Sequence, residues 1–376
     1  MKMYFTCLFL ASMLLVKCSS NSNTVVAFTE KKTVSPVLPD SITLLSETNN
    51  FLFKSGKIAF DIIGISGLQK MDSYSTTFDE VIKFFRPESG EMLFEIKSSI
   101  LKKIRDGQGS LCDFIIDEQG IYVLFSSPAE IYEYNMSGDL IKNRRLHLPV
   151  GIEVHHESPA FYRIKQNSEQ QSNAWIAPLK YHIMNTNDRD AKEAQFLVGI
   201  FDQNGRLLQK VGNYPDNCIG KELNFNGPDF VTCYQHPYLY ILHSTSTTVE
   251  VFNLEKQAFS TFEIPPGHRR NYDLVNLNDT LLSGIQSITH GYKRIDKIND
   301  RILYFYQVPD SSIPGFRFNS IVTLLSLEDK SYYHFNLNEQ GKTGFYLSSE
   351  QKDKIFYTIR TPMDENMILY SKSIVH

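Results

Sequence analysis

The sequence predicts an all-β fold: a six-bladed β-propeller, with a seven-bladed ring as the alternative, closed by a strand from the N-terminal stretch. Three observations predict it: an internal repeat of three strands, a recurring hairpin that is left half-made at the C-terminus, and the composition. The 376 residues include 20 Tyr and 26 Phe but one Trp, Trp175. Aromatic and β-branched residues favour strands. Gly, Asn, Asp and Ser recur in short clusters of the kind that make turns.

The repeat aligns residues 109–136 with 227–254 without a gap. Gly109 falls on Gly227, Tyr122 on Tyr240, Leu124 on Leu242, Ser126 on Ser244 and Asn135 on Asn253. Each copy reads as strand, short turn, strand, polar loop, strand. The hairpin pairs an alternating apolar strand with a polar turn and a second strand. It appears at Val81–Phe85 with Glu88-Ser-Gly90, at Ile131–Tyr134 with Met136-Ser-Gly138, and at Leu197–Phe201 with Gln203-Asn-Gly205. It returns at Val249–Phe252 with Glu255-Lys-Gln257 and at Ile321–Leu325 with Glu328-Asp-Lys330. A sixth first half, Met367–Ser371, ends the chain, so the outer strand missing there is expected from Val25–Leu45. Closing a ring in this way removes the exposed sheet edge. Two glycines 118 residues apart imply about 59 residues per blade if they lie two blades apart. Blades of that length carry insertions, read at Lys165–Lys180 and Pro309–Phe318. A two-sheet sandwich is the other all-β option, but it requires neither the repeat nor the terminal half-hairpin.

Residues 1–17 read as a lipoprotein signal peptide: one Lys, then an apolar run too short to span a bilayer. Leu15-Val16-Lys17-Cys18, followed by Ser19-Ser-Asn-Ser-Asn23, resembles a bacterial lipobox with Cys18 as the lipidation site. Lys17 departs from it, since that position ordinarily holds Gly, Ala or Ser. An ordinary signal peptide with a chance Cys is the alternative. Residues 18–35 then form the lipidated Cys and linker, and residues 36–376 the propeller. Multiple acyl chains anchor a protein stably. The stretch after Cys18 carries no acidic run, which points to an outer-membrane lipoprotein facing the periplasm. The other mature cysteines are Cys112, Cys218 and Cys233. Cys218 and Cys233 could bridge in an oxidising compartment, but Cys233 falls on a core strand, where a buried free thiol is the plainer reading.

The order of elements, the Gly-x-x-x-φ opening of the blades and the lipobox together resemble an uncharacterised group of six-bladed, TolB-like propeller lipoproteins from Bacteroidota. The resemblance spans nearly the whole mature chain. It implies fold and placement, and no activity.

No set of residues forms a catalytic motif. His155-His156-Glu157 is the densest group of metal-ligand types, but neighbouring strand residues point to opposite faces, so no metal site is read there. Asp296–Arg301 has the flavour of a calcium loop without its spacing, so no cofactor is evident and calcium is the only one considered. A net charge of -4 gives no basis for nucleic-acid binding. Loops gathering at one mouth of a propeller channel are the place for a ligand. That mouth would draw on Arg105 and Asp106, on His155, His156 and Glu157, on Asn226 and Asp229, and on His290, Lys293 and Arg294. The plain alternative is that these are ordinary polar loops. The expected role is binding or scaffolding for an envelope protein, peptide or glycan. The alternative is a propeller hydrolase or lyase acting on a sugar or lactone.

Overall fold

The computed structural model describes residues 29–30, 40–44, 51–70, 78–99, 110–156, 158–164, 174–181, 196–213, 230–243, 246–265, 291–309, 318–337, 343–349, 354–360 and 367–373. The architecture is all-β and propeller-like: antiparallel meanders, each four strands wide, follow one another along the chain.

The first meander is β3 (Phe51–Ala59), β4 (Ile62–Lys70), β5 (Phe78–Phe85) and β6 (Met92–Lys97). The second is β7 (Leu111–Asp117), β8 (Gly120–Phe125), β9 (Glu130–Tyr134) and β10 (Leu140–Arg145). In the third, two short strands share one edge, β11 (Ile152–Val154) and β12 (Tyr162–Ile164). Both pair with β13 (Ala174–Tyr181), which β14 (Phe196–Phe201) and β15 (Leu207–Asn213) follow. The fourth is β16 (Phe230–Gln235), β17 (Tyr238–His243), β18 (Thr248–Asn253) and β19 (Ala258–Glu263). The fifth is β20 (Gly291–Ile298), β21 (Arg301–Pro309), β22 (Phe318–Ser326) and β23 (Ser331–Asn336), with β1 (Thr29–Glu30) parallel to β23. The last strands are β24 (Thr343–Ser349), β25 (Lys354–Arg360) and β26 (Met367–Ser373).

The N-terminal segment β2 (Asp40–Leu44) completes this last unit, pairing antiparallel with β26 from Asp40↔Ser371 to Leu44↔Met367. The half-hairpin at the C-terminus therefore finds its partner inside the expected stretch. The last and first units also join, through the parallel pairs Ser348↔Lys57 and Ser349↔Ile58, into one eight-stranded sheet.

Burial grades outward within each meander. β8 is buried at all six positions, whereas β10 and β19 are exposed at every position but one. Strands covered on both faces read as unbroken apolar runs, such as Ile121-Tyr-Val-Leu-Phe125. Apolar clusters fill each junction between successive units. Phe84 stacks on Phe94 at 4.6 Å and meets the edge of Phe114 at 5.9 Å between the first and second. Leu44, Phe51, Ile63, Leu347 and Leu369 do the same between the last and the first.

The outer hairpins turn on side-chain acceptors. Asn135 Oδ1 takes the amides of Ser137 and Asp139, and Asp202 Oδ1 those of Asn204 and Arg206. Each turn then needs a left-handed residue. Gly205 supplies it at φ +79°, and a Cβ there would stand 2.1 Å from the Arg145 carbonyl oxygen.

One segment departs from the sequence reading. Residues 165–180, read as an insertion, include most of β13, a fully packed strand that carries Trp175. Its run Ala174-Trp-Ile-Ala-Pro-Leu179 is buried at every position, so it lacks the alternation that marks a half-exposed strand.

Candidate functional site

The first strands of the meanders converge, and the charged residues they carry meet in a buried cluster. Lys57 of β3 donates to Asp113 of β7 at 3.0 Å and to the Phe114 carbonyl. Its side chain is 12% exposed, and that of Asp113 is 2%. Asp113 also accepts the amide of Phe161 at 3.4 Å, just before β12. Tyr162 of β12 donates its hydroxyl to the Thr232 carbonyl of β16, and Thr232 Oγ1 donates to Pro159 O at 3.1 Å. On β20, Arg294 Nε stands 3.7 Å from Asp296 Oδ2, too far for a hydrogen bond. Ser348 of β24 donates to Asp296 Oδ1 at 3.2 Å. Lys54 ties three units together by donating to Leu111 O at 2.9 Å and His156 O at 3.1 Å.

Three of these first strands carry a register shift next to the cluster: at Lys54 in β3, at Cys112 in β7 and at Lys293 in β20. A bulge re-aims the residue that follows. Here those residues are Ser55, Asp113 and Arg294, so the bulges turn polar side chains out of the alternating pattern.

Burial dominates the electrostatics. It lowers the Lys57 ammonium to about 8, against the opposing pull of Asp113. It raises Asp296, against the opposing pull of Arg294 and of hydrogen bonds from Tyr346 and Ser348. It raises Tyr162 and Tyr346 as well. Burial also works against charge on Arg294, but Asp296, Tyr162 and Asp113 outweigh it and the guanidinium stays charged. Arg294 Nε and Nη1 and Asp296 Oδ2 are buried with no hydrogen-bond partner. Such orphaned groups each cost about 1–3 kcal/mol.

The sequence-predicted residues divide. Lys293 and Arg294 were expected on a mouth loop. Arg294 instead lies within β20 at 6% exposure, because the bulge at Lys293 turns it inward. His155 is expected at the channel mouth. It is buried at 3% exposure, its amide bonded to Pro178 O at 3.1 Å and its ring 6.0 Å from Phe230. His156 stacks on it at 6.1 Å. Arg105, Asp106, Glu157, Asn226, Asp229 and His290 lie outside the described residues, as do Cys18 and Cys218. Asp296–Arg301 closes the β20–β21 hairpin, with Asn299 at φ 55°. Among the described residues, no three His, Cys, Asp or Glu side chains gather as metal ligands. Cys112 and Cys233 are buried free thiols, each pushed up to about 12 by burial. Sequence reasoning missed Lys57 and Asp113. For Asp113 the signal was a charged residue inside an otherwise buried strand.

No family model matches the chain, and no curated protein matches it in sequence. Its fold is similar to that of a member of the DUF4221 family from Bacteroides vulgatus, with 13% identity and a TM-score of 0.60 over 90% of this chain and 98% of that one. It is also similar to a protein described as exported, from Bacteroides fragilis, with 10% identity and a TM-score of 0.50 over 92% and 99%. At these identities the likeness concerns the fold. No helix among the described residues is long and apolar enough to cross a membrane.

Proposed function

We propose that this chain is an exported lipoprotein of the cell envelope, held through an acylated Cys18 and facing the periplasm from the outer membrane. Residues 18–35, of which Thr29–Glu30 pair with β23 as β1, tether a six-bladed ring that binds a protein, peptide or glycan. The pairing of β2 with β26 and an apolar cluster at every junction, the last with the first included, support six blades over seven. The two Bacteroides folds support kinship with uncharacterised Bacteroidota propellers. The proposed ligand contacts include Arg105, Asp106, Glu157, Asn226, Asp229 and His290.

The observation that carries the binding reading is Arg294, buried and charged with two nitrogens unpartnered, beside an unpartnered oxygen of Asp296. Donors next to an acceptor suit a ligand that offers both, such as a peptide amide or the vicinal hydroxyls of a glycan. One observation favours a second reading, an enzyme acting on a sugar or lactone: Lys57, lowered to about 8, stands in the field of two carboxylates, Asp113 and Asp296.

Thermal melting of the full chain in detergent, against peptide and glycan panels, tests this. A ligand at a hundred times its Kd stabilises by about 2.7 kcal/mol. An upward shift that Arg294→Gln abolishes supports binding at the cluster. Turnover of a shifting ligand moves the reading to the enzyme. A shift indifferent to Arg294→Gln sinks the central site.

A further inference from the structure

A second polar site lies away from this cluster, at the junction of the second and third meanders. A pocket of about 400 Å³ opens there between Gln119, Glu133, Arg144, Arg163, Trp175 and Asn204. We infer that it binds an acidic saccharide, a sugar bearing a carboxylate. This goes beyond the reading above and does not depend on it.

Arg163 is locked in place. Its Nη1 donates to Asp117 at 2.9 Å and to the Tyr122 hydroxyl at 2.6 Å, and its Nη2 donates to Gln119 at 2.7 Å. Its guanidinium lies 4.9 Å from the Tyr122 ring and 5.8 Å from the Trp175 ring. Arg144 sits 5.2 Å from the same indole and donates Nη1 to the Gln203 carbonyl. Three cations therefore face the pocket, and two are neutralised: Arg163 by Asp117, and Lys142 by Glu133 at 3.2 Å. Among the described residues Arg144 has no carboxylate in ion-pair contact; Glu133 and Asp202 act on it only through their longer-range field. The unused polar atoms are donors too. The Trp175 indole N–H and the Arg163 Nε–H are buried without an acceptor.

Surplus donors around a guanidinium with no carboxylate in contact call for an anion with acceptor oxygens, and a planar fork suits a carboxylate. Amide and carboxylate groups also line the wall, with Gln119 and Asn204 able to accept from and donate to hydroxyls and Glu133 able to accept from them. An apolar ligand finds no surface here. A lone phosphate would leave much of the volume empty, whereas the pocket is of the size that takes a small organic ligand. A sugar acid satisfies charge, hydroxyl pairing and volume together.

Trp175 is the single tryptophan of the chain, so its fluorescence reports on this pocket alone. The experiment titrates the full chain in detergent with glucuronate, galacturonate, glucose and inorganic phosphate, and reads emission. Saturable quenching or a spectral shift with a sugar acid is expected, at least tenfold weaker with glucose and with phosphate. Arg144→Gln should abolish it, Arg144→Lys should restore part of it, and Arg294→Gln should leave it unchanged. Arg144 is on the solvated strand β10, and an unchanged melting temperature for Arg144→Gln confirms an intact fold. Equal response to glucose, equal response to phosphate, or no response to either sugar acid each overturns the inference. A response that Arg294→Gln removes and Arg144→Gln keeps assigns the sugar acid to the central cluster instead.

Discussion

Two buried ion pairs of nearly the same chemistry, Lys57–Asp113 and Arg163–Asp117, stand in opposite circumstances. Both have carboxylates almost fully covered, at 2% and 6% exposure, and both bond at about 3 Å. Around Arg163 almost everything else is satisfied: a tyrosine hydroxyl, an amide oxygen and two aromatic faces share its charge. Around Lys57 lie further buried charges, Arg294 and Asp296, whose own hydrogen bonds are incomplete. Arg163 keeps one unmade donor, its Nε–H, beside the Trp175 indole N–H, whereas the Lys57 cluster leaves Arg294 Nε and Nη1 and Asp296 Oδ2 unmade. Burial by itself does not distinguish them; the further buried charges beside Lys57 do.

The largest expected effect is at the centre. Asp113→Ala leaves the Lys57 ammonium buried without its carboxylate and should cost about 3–5 kcal/mol in urea unfolding. Lys57→Met combined with Asp113→Leu should recover most of that loss. A cost under about 1 kcal/mol for the single variant would make the two pairs equivalent and end the contrast.

The second effect is in pH. The folded state holds Lys57 at about 8 against an ordinary 10.5. Between those values the unfolded chain binds the extra proton, so this group's contribution to stability rises with pH across the window. Wild type should therefore gain about 3 kcal/mol relative to Lys57→Met between pH 8 and 10.5. Titration of the buried tyrosines enters both proteins and cancels in the difference. A flat difference would mean that Lys57 keeps its proton in the fold.

At the Arg163–Asp117 pair the loss should be smaller. Asp117→Asn should cost about 1–3 kcal/mol, because Arg163 keeps Tyr122 and Gln119. A loss as large as that of Asp113→Ala would show that the neighbours do not share its charge. The smallest effect closes the series. Lys142→Ala removes an ion pair whose lysine side chain is 53% exposed, and unfolding should shift by at most about 0.5 kcal/mol.

Much of the architecture was legible. The five hairpins read from alternating runs lie within β5–β6, β9–β10, β14–β15, β18–β19 and β22–β23, because the polar turn between each pair of strands is a local signal. The 118-residue repeat superposes β8 on β17 position for position. Less legible were strands that lack alternation or are very short. β13 is buried at both faces and was read as an insertion, and β1 lies in a stretch read as linker. Of the candidate site, Arg294 was singled out but given to a loop, and Lys57 and Asp113 were passed over.

The sequence by itself determined the secondary-structure class, the number of hairpins along most of the chain, and the N-terminal partner for the last strand. Those are local matters of period, turn chemistry and an unpaired half-hairpin. Only the tertiary structure decided which polar groups meet. Lys57 and Asp113 are 56 residues apart, Tyr162 and Thr232 are 70 apart, and each contact exists because separate sheets turn their first strands toward one another. The bulges at Lys54, Cys112 and Lys293 then break the alternation that would have told which way each side chain points. Contacts between distant strands depend on that closure and on a one-residue register, and neither leaves a periodic mark in the sequence.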